Sequence, residues 1–259
     1  MTLLAKAERI KLGRVLGVAA AELEYLELLS VAEMRGLRER VSATLFDRHR
    51  ALFQRAVGPA RILPARLNAR LSEKVFGPFL SARLSSVMPA DKAVDVARHL
   101  TPDFLAEICL AMDPRRSRAV VEVMPAEVVV AAARELVRRE EYIVMGQFVD
   151  ALPEGSIRAV IGILDDAQLL EIGFYVEQPA RLDQLIAALP DPRVDGMLRL
   201  VARGTAEQQA AGLVVLSQLS AAQQRRFGDR LKALSLDGTF RELARREEAA
   251  ELVPRVLGA

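Results

Sequence analysis

The chain has 259 residues, of which 51% are apolar and 27% are charged, and its formal net charge is +2. This composition is typical of a folded protein with a sizeable core, and it excludes long disordered segments. No run approaches the roughly 20 apolar residues that a membrane-spanning helix needs, and the single cysteine excludes an internal disulfide. The charged first residues do not resemble a signal peptide, so we expect a cytoplasmic protein.

The charge is unevenly distributed along the chain. Residues 1–90 carry 15 Arg and Lys against 8 Asp and Glu, whereas residues 91–259 carry 21 against 26. A basic N-terminal region can attract nucleic acid, an anionic membrane surface or an acidic protein. A biased genome explains the same excess, because Arg outnumbers Lys 31 to 5 in the whole chain.

The N-terminal part is predicted to contain two short helices, at residues 5–16 and 20–28, followed by a long helix over residues 31–57. Ser30 and Glu33 have the spacing of a capping box at the start of the long helix. Two adjacent apolar stripes predict burial of the helix on two sides. Arg38 and Arg48 fall near the edges of the apolar arc, so we expect this burial to be incomplete. We expect this helix to cap the rest of the fold. The stripes consist of Met34, Leu37, Val41, Leu45 and Leu52, and of Phe46, Phe53 and Val57, with Leu45, Phe46 and Phe53 expected to be buried.

Proline residues divide the segment 82–203 at intervals of about one short helix. Proline suits the first turn of a helix, where its missing N–H has no intrahelical acceptor. Thr101, Asp113 and Asp191 precede three of these prolines and have capping side chains. We predict antiparallel helices of about 9–12 residues, which are marginal alone and need stacking to persist. They should begin at or next to Pro89, Pro102, Pro114, Pro125, Pro153, Asp166, Pro179 and Pro192.

The remaining segments continue this pattern. Helices are predicted at residues 128–136 and 142–152, joined across residues 138–141. Beyond Gly204, two further capping-box patterns occur, at Thr205–Gln208 and at Ser220–Gln223. The fold class is therefore predicted to be all-α. It is an α-solenoid or superhelix of short antiparallel hairpins, divided into a distinct N-terminal cap region (1–81), a central repeat (82–203) and C-terminal helices (204–259).

Few residues are suited to chemistry. His49 lies between the two stripes of the long helix, where it is either a switch or ligand or a partly buried imidazole with a backbone partner. His99 falls in the last turn of a helix, where a cation is favoured by the dipole, and Cys109 suits a core. The sequence has no phosphate-binding loop, nucleophile motif or zinc spacing. We therefore predict no catalytic, cofactor-binding or metal-binding residue and no enzymatic activity.

Acidic pairs occur at Glu140-Glu141, Asp165-Asp166 and Glu247-Glu248. Adjacent helical positions point about 100° apart, so such a pair cannot chelate one ion together. Asp165-Asp166 is better suited to capping the following helix.

Arg115, Arg116 and Arg118 are the candidate interaction surface. They are predicted to lie in a first helical turn, where the dipole favours acids rather than cations, so their presence suggests contact with a partner. A solvated face is nevertheless the favoured explanation for these three residues. Aromatic residues make up 5% of the chain and none is Trp, which gives no stacking platform for single-stranded nucleic acid.

Residues 99–114 (HLTPDFLAEICLAMDP) and 119–125 (AVVEVMP) resemble the cytosolic N-terminal domain of MgtE-type magnesium transporters. A weaker likeness exists to helical modules of the flagellar motor switch protein FliG. The resemblance covers residues 82–203 and implies a right-handed superhelix of hairpins that serves as an interaction or regulatory module. Transporter domains of this type help to sense Mg²⁺ through acidic residues. Here Arg115 and Arg116 stand where that family often has Glu, so the resemblance implies no metal-site residue.

The leading hypothesis is a non-enzymatic cytoplasmic helical-repeat protein that binds another protein or a second copy of itself. One alternative is nucleic-acid binding through the basic N-terminal region. A further alternative is a Mg²⁺-responsive regulatory domain, which rests on analogy of fold.

Overall fold

The computed structural model describes residues 3–47, 63–247 and 249–258. Within these ranges it contains seventeen α-helices, a 3₁₀ helix and a π-helical turn, and no β-strand. The predicted all-α fold class is confirmed. The chain divides into two compact units, Met1–Glu135 and Leu136–Ala259. The finer division at residues 81 and 203 stays a prediction.

The first unit begins with two helices separated by a 3₁₀ helix and continues as a series of short helices. In chain order its elements are α1 (Leu3–Leu16), the 3₁₀ helix (Ala20–Leu26), α2 (Val31–Asp47), α3 (Ala65–Leu71), the π-helical turn (Ser72–Phe76), α4 (Gly77–Ser85), α5 (Ala90–Ala97), α6 (Pro102–Ala111) and α7 (Arg118–Val121). Helix α8 (Ala126–Arg138) spans the boundary between the units.

The second unit is a regular succession of helices joined by short turns. They are α9 (Tyr142–Val149), α10 (Glu154–Ile161), α11 (Asp166–Tyr175), α12 (Pro179–Ala187), α13 (Asp191–Arg203), α14 (Ala206–Gln218), α15 (Ala221–Ala233), α16 (Asp237–Arg246) and α17 (Leu252–Leu257). None of the helices in the described part of the chain is long and apolar enough to cross a membrane.

Most of the predicted helix starts are confirmed. The seven confirmed starts are those of α5 after Pro89, α6 at Pro102, α8 after Pro125, α10 after Pro153, α11 at Asp166, α12 at Pro179 and α13 next to Pro192. Thr101 caps α6 by accepting a hydrogen bond from the Phe104 N–H at 3.4 Å. Asp165 caps α11 and exchanges hydrogen bonds with Gln168 at 2.8 and 3.0 Å.

The prediction at Pro114 was wrong, because α7 begins only at Arg118. The Asp113 side chain accepts a hydrogen bond from the Arg115 N–H at 3.0 Å, and the Ser117 N–H donates to the Asp113 carbonyl at 3.1 Å. Asp side chains that bond the backbone two residues ahead stabilise turns in competition with helix. The predicted range of helix lengths was also too narrow, because helices between residues 82 and 203 range from 4 to 13 residues.

Asp191 was predicted to cap a helix beginning at Pro192, but it is itself the first residue of α13 and Pro190 precedes it without a side-chain cap. Farther along, the capping box of Thr205 and Gln208 is confirmed by hydrogen bonds of 3.0 and 3.3 Å. The Ser220 side chain caps α15 by accepting a hydrogen bond from the Gln223 N–H. The Ser220 N–H donates to Asp183 at 2.8 Å instead of to Gln223, so only one of the two hydrogen bonds of the predicted capping box forms.

Helices two apart in sequence pack against each other in both units. These pairs are α3 with α5, α4 with α6 and α5 with α7 in the first unit, and α9 with α11, α11 with α13, α13 with α15 and α15 with α17 in the second. This order is typical of stacked hairpins. In two of these pairs, the helices approach each other closely at a glycine. A Cβ added at Gly146 would lie 2.6 Å from the Tyr175 Cβ, and one at Gly228 would lie 1.8 Å from the Val256 carbonyl.

In the second unit, three arginines, here called the inter-helix arginines, donate to carbonyl groups near the end of an earlier helix. Arg181 donates to the carbonyls of Val149 and Leu152. Arg193 donates to the carbonyl of Leu164, and Arg226 donates to those of Ile186 and Leu189. Arg193 also pairs with Asp166 at 2.6 Å, and Arg226 with Asp191 at 2.7 Å. Carbonyls at a helix end have no intrahelical donor, so these arginines satisfy them while joining successive hairpins.

In the first unit, α1 packs on α2 around a buried carboxylate. Glu8 is 2% exposed and binds Lys11 at 3.5 Å, Arg35 at 3.1 Å and Arg38 at 3.1 Å. Arg38, near the edge of the apolar arc, is itself buried, with a side chain that is only 9% exposed. The counter-charge of Glu8 explains how a guanidinium is buried there.

The capping box at the start of α2 is confirmed. The Ser30 N–H donates to Glu33 at 2.8 Å and the Glu33 N–H donates to the Ser30 hydroxyl at 3.3 Å. Met34, in the predicted stripe, is fully buried. The predicted burial of Leu45, Phe46 and Phe53, the predicted helix end at residue 57 and the position of Arg48 all lie outside the described residues and side chains.

Candidate interaction surface

The three arginines predicted as an interaction surface lie around the start of α7, and each contacts an acid of the first unit. Arg115 pairs with Glu39, Arg116 lies 3.6 Å from Asp113, and Arg118 lies 2.6 Å from Glu122. Arg115 and Arg116 belong to the turn before α7 rather than to a first helical turn, which corrects the predicted location. Their charges are offset within the chain, and their contact with a partner stays a prediction.

The residues with possible chemistry are scattered. His99 is exposed just after α5, while His49 lies outside the described residues. Cys109 packs against the buried residues Ala97, Leu105, Val128 and Ala132. Burial raises the pKa of Cys109 to about 12. A thiol with that pKa is protonated at neutral pH and is a poor nucleophile.

Two of the three acidic pairs lie wholly within the described residues. Glu140 adopts φ +57° in the turn between α8 and α9, while Asp165 caps α11 and Asp166 accepts from Arg193. The third pair contains Glu248, which is not described. Across the described ranges, no group of three His, Cys, Asp or Glu residues is arranged to hold a metal ion.

Tyr142 and Glu171 are titratable groups of the second unit whose pKa is raised mainly by burial. Burial raises the pKa of Tyr142, and the nearby carboxylates of Glu140 and Asp165 raise it further. Burial also raises the pKa of Glu171, and the charge of Glu207 adds to this effect. The second unit contains neither His nor Cys, so neither group has an imidazole or a thiol partner there.

A cavity of about 40 Å³ lies among the helices of the second unit. Its lining is almost wholly apolar and includes Met197, Phe227 and Phe240. An engineered apolar cavity that accepts benzene has a volume of about 150 Å³, so this cavity is too small for an ordinary substrate. It is a packing space within the hairpin core.

A different surface in the first unit is exposed and rich in cations. Helix α3 and the π-helical turn carry five outward residues, here called the basic face: Arg66, Leu67, Arg70, Lys74 and Val75. The cations recur every four residues, which places them along one side of a helix. Asn68 and Ala69 lie on the opposite side and are buried.

One acid lies within the segment that forms the basic face. Glu73 is the one carboxylate in residues 65–76, and it accepts hydrogen bonds from the Thr101 N–H at 2.8 Å and hydroxyl at 2.9 Å. The Glu73 carboxylate therefore binds the residue that precedes α6. Among the described residues, Arg66, Arg70 and Lys74 have no ion-pair or hydrogen-bond partner. Their charges are available to a ligand or partner.

Apolar side chains are exposed next to these cations. Leu67 is 43% exposed, Val75 is 68% exposed, and Phe79 in the first turn of α4 is 59% exposed. Gly77 adopts φ +71° between the π-helical turn and α4, a conformation that favours glycine. The Arg83 guanidinium lies 5.0 Å from the centre of the Phe79 ring, within cation–π range. Burial lowers the pKa of Arg83.

Comparisons of the chain with protein families, with curated proteins and with solved structures found no match. The resemblance to magnesium-transporter N-terminal domains stays a prediction. The best candidate for a functional site is therefore the basic face, because it joins unpaired cations to exposed apolar side chains.

Arg115, Arg116 and Arg118, which the sequence pattern selected, each pair with an acid of the same unit. Unusual placement near a helix start does not reveal whether a folded neighbour supplies an acid. A usable signal was present in the recurrence of Arg66, Arg70 and Lys74 at four-residue spacing with one acid nearby. The direction in which Glu73 points was not readable from the sequence.

Proposed function

We propose that this chain is a non-enzymatic helical-repeat protein that docks another protein chain through the basic face. The observation that carries the proposal is the combination of three unpaired cations, Arg66, Arg70 and Lys74, with exposed Leu67 and Val75 on one helical surface. Burying an exposed Leu or Val side chain contributes about 1.5–3 kcal/mol. Cations beside them orient and accelerate the approach of an acidic partner.

The apolar part of the surface favours a protein partner over nucleic acid. Phosphates attract cations, but Leu67 and Val75 gain nothing from a phosphate backbone. Base stacking needs aromatic side chains. None of the five residues of the basic face is aromatic, and the exposed Phe79 beside them already lies against the Arg83 guanidinium. The nucleic-acid alternative rests on charge alone and is therefore the second candidate.

A catalytic function has no comparable support. The cavity of the second unit is apolar and has a volume of about 40 Å³, and the perturbed Tyr142 and Glu171 have no imidazole or thiol in their unit. The Mg²⁺ hypothesis lacks a supporting group of ligands in the described parts of the chain.

The experiment is site-specific photo-cross-linking in native lysate, with a photoreactive amino acid in place of Leu67. We expect a discrete cross-linked protein, identified by mass spectrometry, that disappears in the Arg70→Glu/Lys74→Glu variant. The matched control is Lys92→Glu/Arg98→Glu, which makes the same charge change at exposed positions in and just after α5.

The proposal fails if no protein is cross-linked, or if the charge reversal on the basic face leaves the product unchanged. A parallel titration with duplex and single-stranded DNA at about 50 mM salt tests the alternative, since phosphate contacts weaken steeply with salt. Binding of DNA that is lost in Arg70→Glu/Lys74→Glu, without any protein cross-link, would establish nucleic-acid binding instead.

A further inference from the structure

A second exposed surface of the first unit has the opposite charge. It runs from the end of α1 through the 3₁₀ helix and is called here the acidic segment, residues 16–28. Four of the nine exposed large hydrophobic residues of the described chain lie in it. They are Leu16 at 44%, Val18 at 36%, Tyr25 at 72% and Leu28 at 96% exposure.

The charged residues of the acidic segment are all acids: Glu22, Glu24 and Glu27. Glu27 pairs with Arg9 at 2.8 Å, and Glu22 accepts a hydrogen bond from the Ala19 N–H at 2.9 Å. Glu24 is exposed and has no ion-pair or hydrogen-bond partner among the described residues. The segment therefore presents negative charge beside apolar side chains.

The fold holds these side chains outward. Leu23 is 3% exposed and anchors the 3₁₀ helix to the unit. The Arg9–Glu27 ion pair attaches the end of that helix to α1. Because Leu23 occupies the inward position, Tyr25 remains on the outer side, and Leu28 beyond the helix is almost fully exposed.

The acidic segment and the basic face are complementary in charge and both expose apolar side chains. The acidic segment carries three acids, of which Glu27 is paired with Arg9, and the basic face carries three cations without an ion-pair partner among the described residues. We propose that the basic face of one copy of this chain docks the acidic segment of a second copy. This inference rests on the proposed docking function and names its partner.

The two surfaces are different patches, so the contact is heterologous. Two copies either exchange both contacts and close as a dimer, or add in an open series. Each surface is formed by one short segment, whereas a stable complex buries roughly 800 Å² per partner. The association is therefore weak, reversible and sensitive to salt.

The test is sedimentation velocity of the purified full chain over a range of concentrations. We expect the average mass to rise with concentration at about 50 mM salt and to fall back towards the monomer at about 500 mM, where charges are screened within a few ångströms. A chain that stays monomeric up to about 300 µM at low salt, a concentration at which even weak specific contacts are populated, overturns the inference.

Two charge-reversal variants locate the contact. Arg70→Glu/Lys74→Glu removes the basic face, and Glu22→Lys/Glu24→Lys removes the acidic segment. Each alone should raise the dissociation constant at least about tenfold. The control Lys92→Glu/Arg98→Glu should associate like the parent chain, and helical circular dichroism with a melting curve establishes that every variant is folded.

Mixing the two variants gives the decisive result. The first retains a native acidic segment and the second retains a native basic face, so a one-to-one mixture should associate although neither variant does alone. Adding Tyr25→Ser and Leu28→Ser to the first variant should abolish association in the mixture, which excludes simple attraction between oppositely charged proteins. Failure of the mixture to associate overturns the inference.

The outcomes also separate this inference from the proposed function. If the chain is monomeric but Leu67 still cross-links a different protein in a manner that depends on Arg70 and Lys74, self-docking is wrong and docking stands. If reversal of the basic face changes neither self-association nor cross-linking, both are wrong.

Discussion

The cations of the second unit and those of the basic face are similar in sequence but differ in what surrounds them. Arg181, Arg193 and Arg226 donate to carbonyls near helix ends, and two of them also pair with aspartates. Arg66, Arg70 and Lys74 have no such partner in the described chain. The difference teaches that the role of a cation in the fold depends on whether a carbonyl or carboxylate of a neighbouring segment lies within its reach.

The first unit also contains cations of the structural kind. Lys11 and Arg38 are buried around Glu8, with side-chain exposures of 3% and 9%. Whether a cation in this unit is structural therefore depends on its local surroundings and not on its position in the chain. Four predictions test this dependence, in order of decreasing effect.

The largest effect is expected for Glu8→Gln. This change leaves Lys11, Arg35 and Arg38 without the carboxylate that they share. Removing one partner of a buried ion pair costs about 3–5 kcal/mol of unfolding free energy. Urea unfolding followed by circular dichroism measures the loss.

The control is Glu24→Gln, the same chemical change at an exposed and unpaired position of the same unit. It should alter the unfolding free energy by no more than about 0.5 kcal/mol. Equal effects of the two changes would show that the cluster around Glu8 contributes little to stability.

The next effect is expected for Arg226→Ala in the second unit. It removes donors to the carbonyls of Ile186 and Leu189 and the ion pair with Asp191. Hydrogen bonds to charged groups contribute about 1.5–3 kcal/mol, and partial exposure places the expected loss near about 2 kcal/mol. Arg225→Ala, at the exposed neighbouring position, should be nearly neutral in the same urea experiment. A neutral Arg226→Ala would mean that the inter-helix arginines do not join the hairpins.

A smaller effect, dependent on pH, is expected for Asp195→Asn. Arg230 binds Asp195 through both carboxylate oxygens, at 2.7 and 2.5 Å. These hydrogen bonds lower the pKa of Asp195 from its ordinary value of 3.8, although burial opposes them. A lowered pKa contributes stability that is present above the unfolded value and is lost as the pH falls through the folded value.

The parent chain should therefore be more stable than Asp195→Asn near neutral pH, and the difference should shrink below about pH 4. Unfolding free energies measured from about pH 7 to pH 3 follow this change. Asp95→Asn, at an exposed position without a cation partner, serves as the control. A difference between the parent and Asp195→Asn that stays constant down to pH 3 would contradict the role of the Arg230 pair.

The smallest effect on stability is expected for Arg70→Ala/Lys74→Ala. Neither side chain contacts another described residue through an ion pair or hydrogen bond. Surface changes of this kind stay within about 0.5 kcal/mol. Thermal and urea unfolding should match the parent chain even though docking is lost. A marked loss of stability would place these cations in the same structural class as Arg226.

Local sequence chemistry predicted where most helices begin. Proline and capping side chains act over three or four residues, so Thr101, Asp165 and Thr205 act as predicted. The prediction of a helix start at Pro114 failed for an equally local reason, because Asp113 stabilises a turn as readily as a helix start. Helix lengths were less predictable, since the end of a helix depends on its packing against neighbours.

The candidate surface was only partly predictable. The excess of cations in residues 1–90 and their spacing on α3 are properties of the sequence. Exposure of Leu67 and Val75, by contrast, depends on which side of α3 is buried. The pairing of Arg115 with Glu39 joins residues 76 apart, and no local rule identifies such a partner.

By itself the sequence determined an all-α chain of short helices, most of whose starts are marked by proline and capping residues, because those effects act within one helical turn. Only the tertiary structure decided which cations are neutralised. Contacts such as Arg226 with Leu189 and Glu73 with Thr101 join residues 28 to 37 apart, and their formation depends on how the hairpins stack. The cations of the basic face are among those that this stacking leaves without a partner in the described chain.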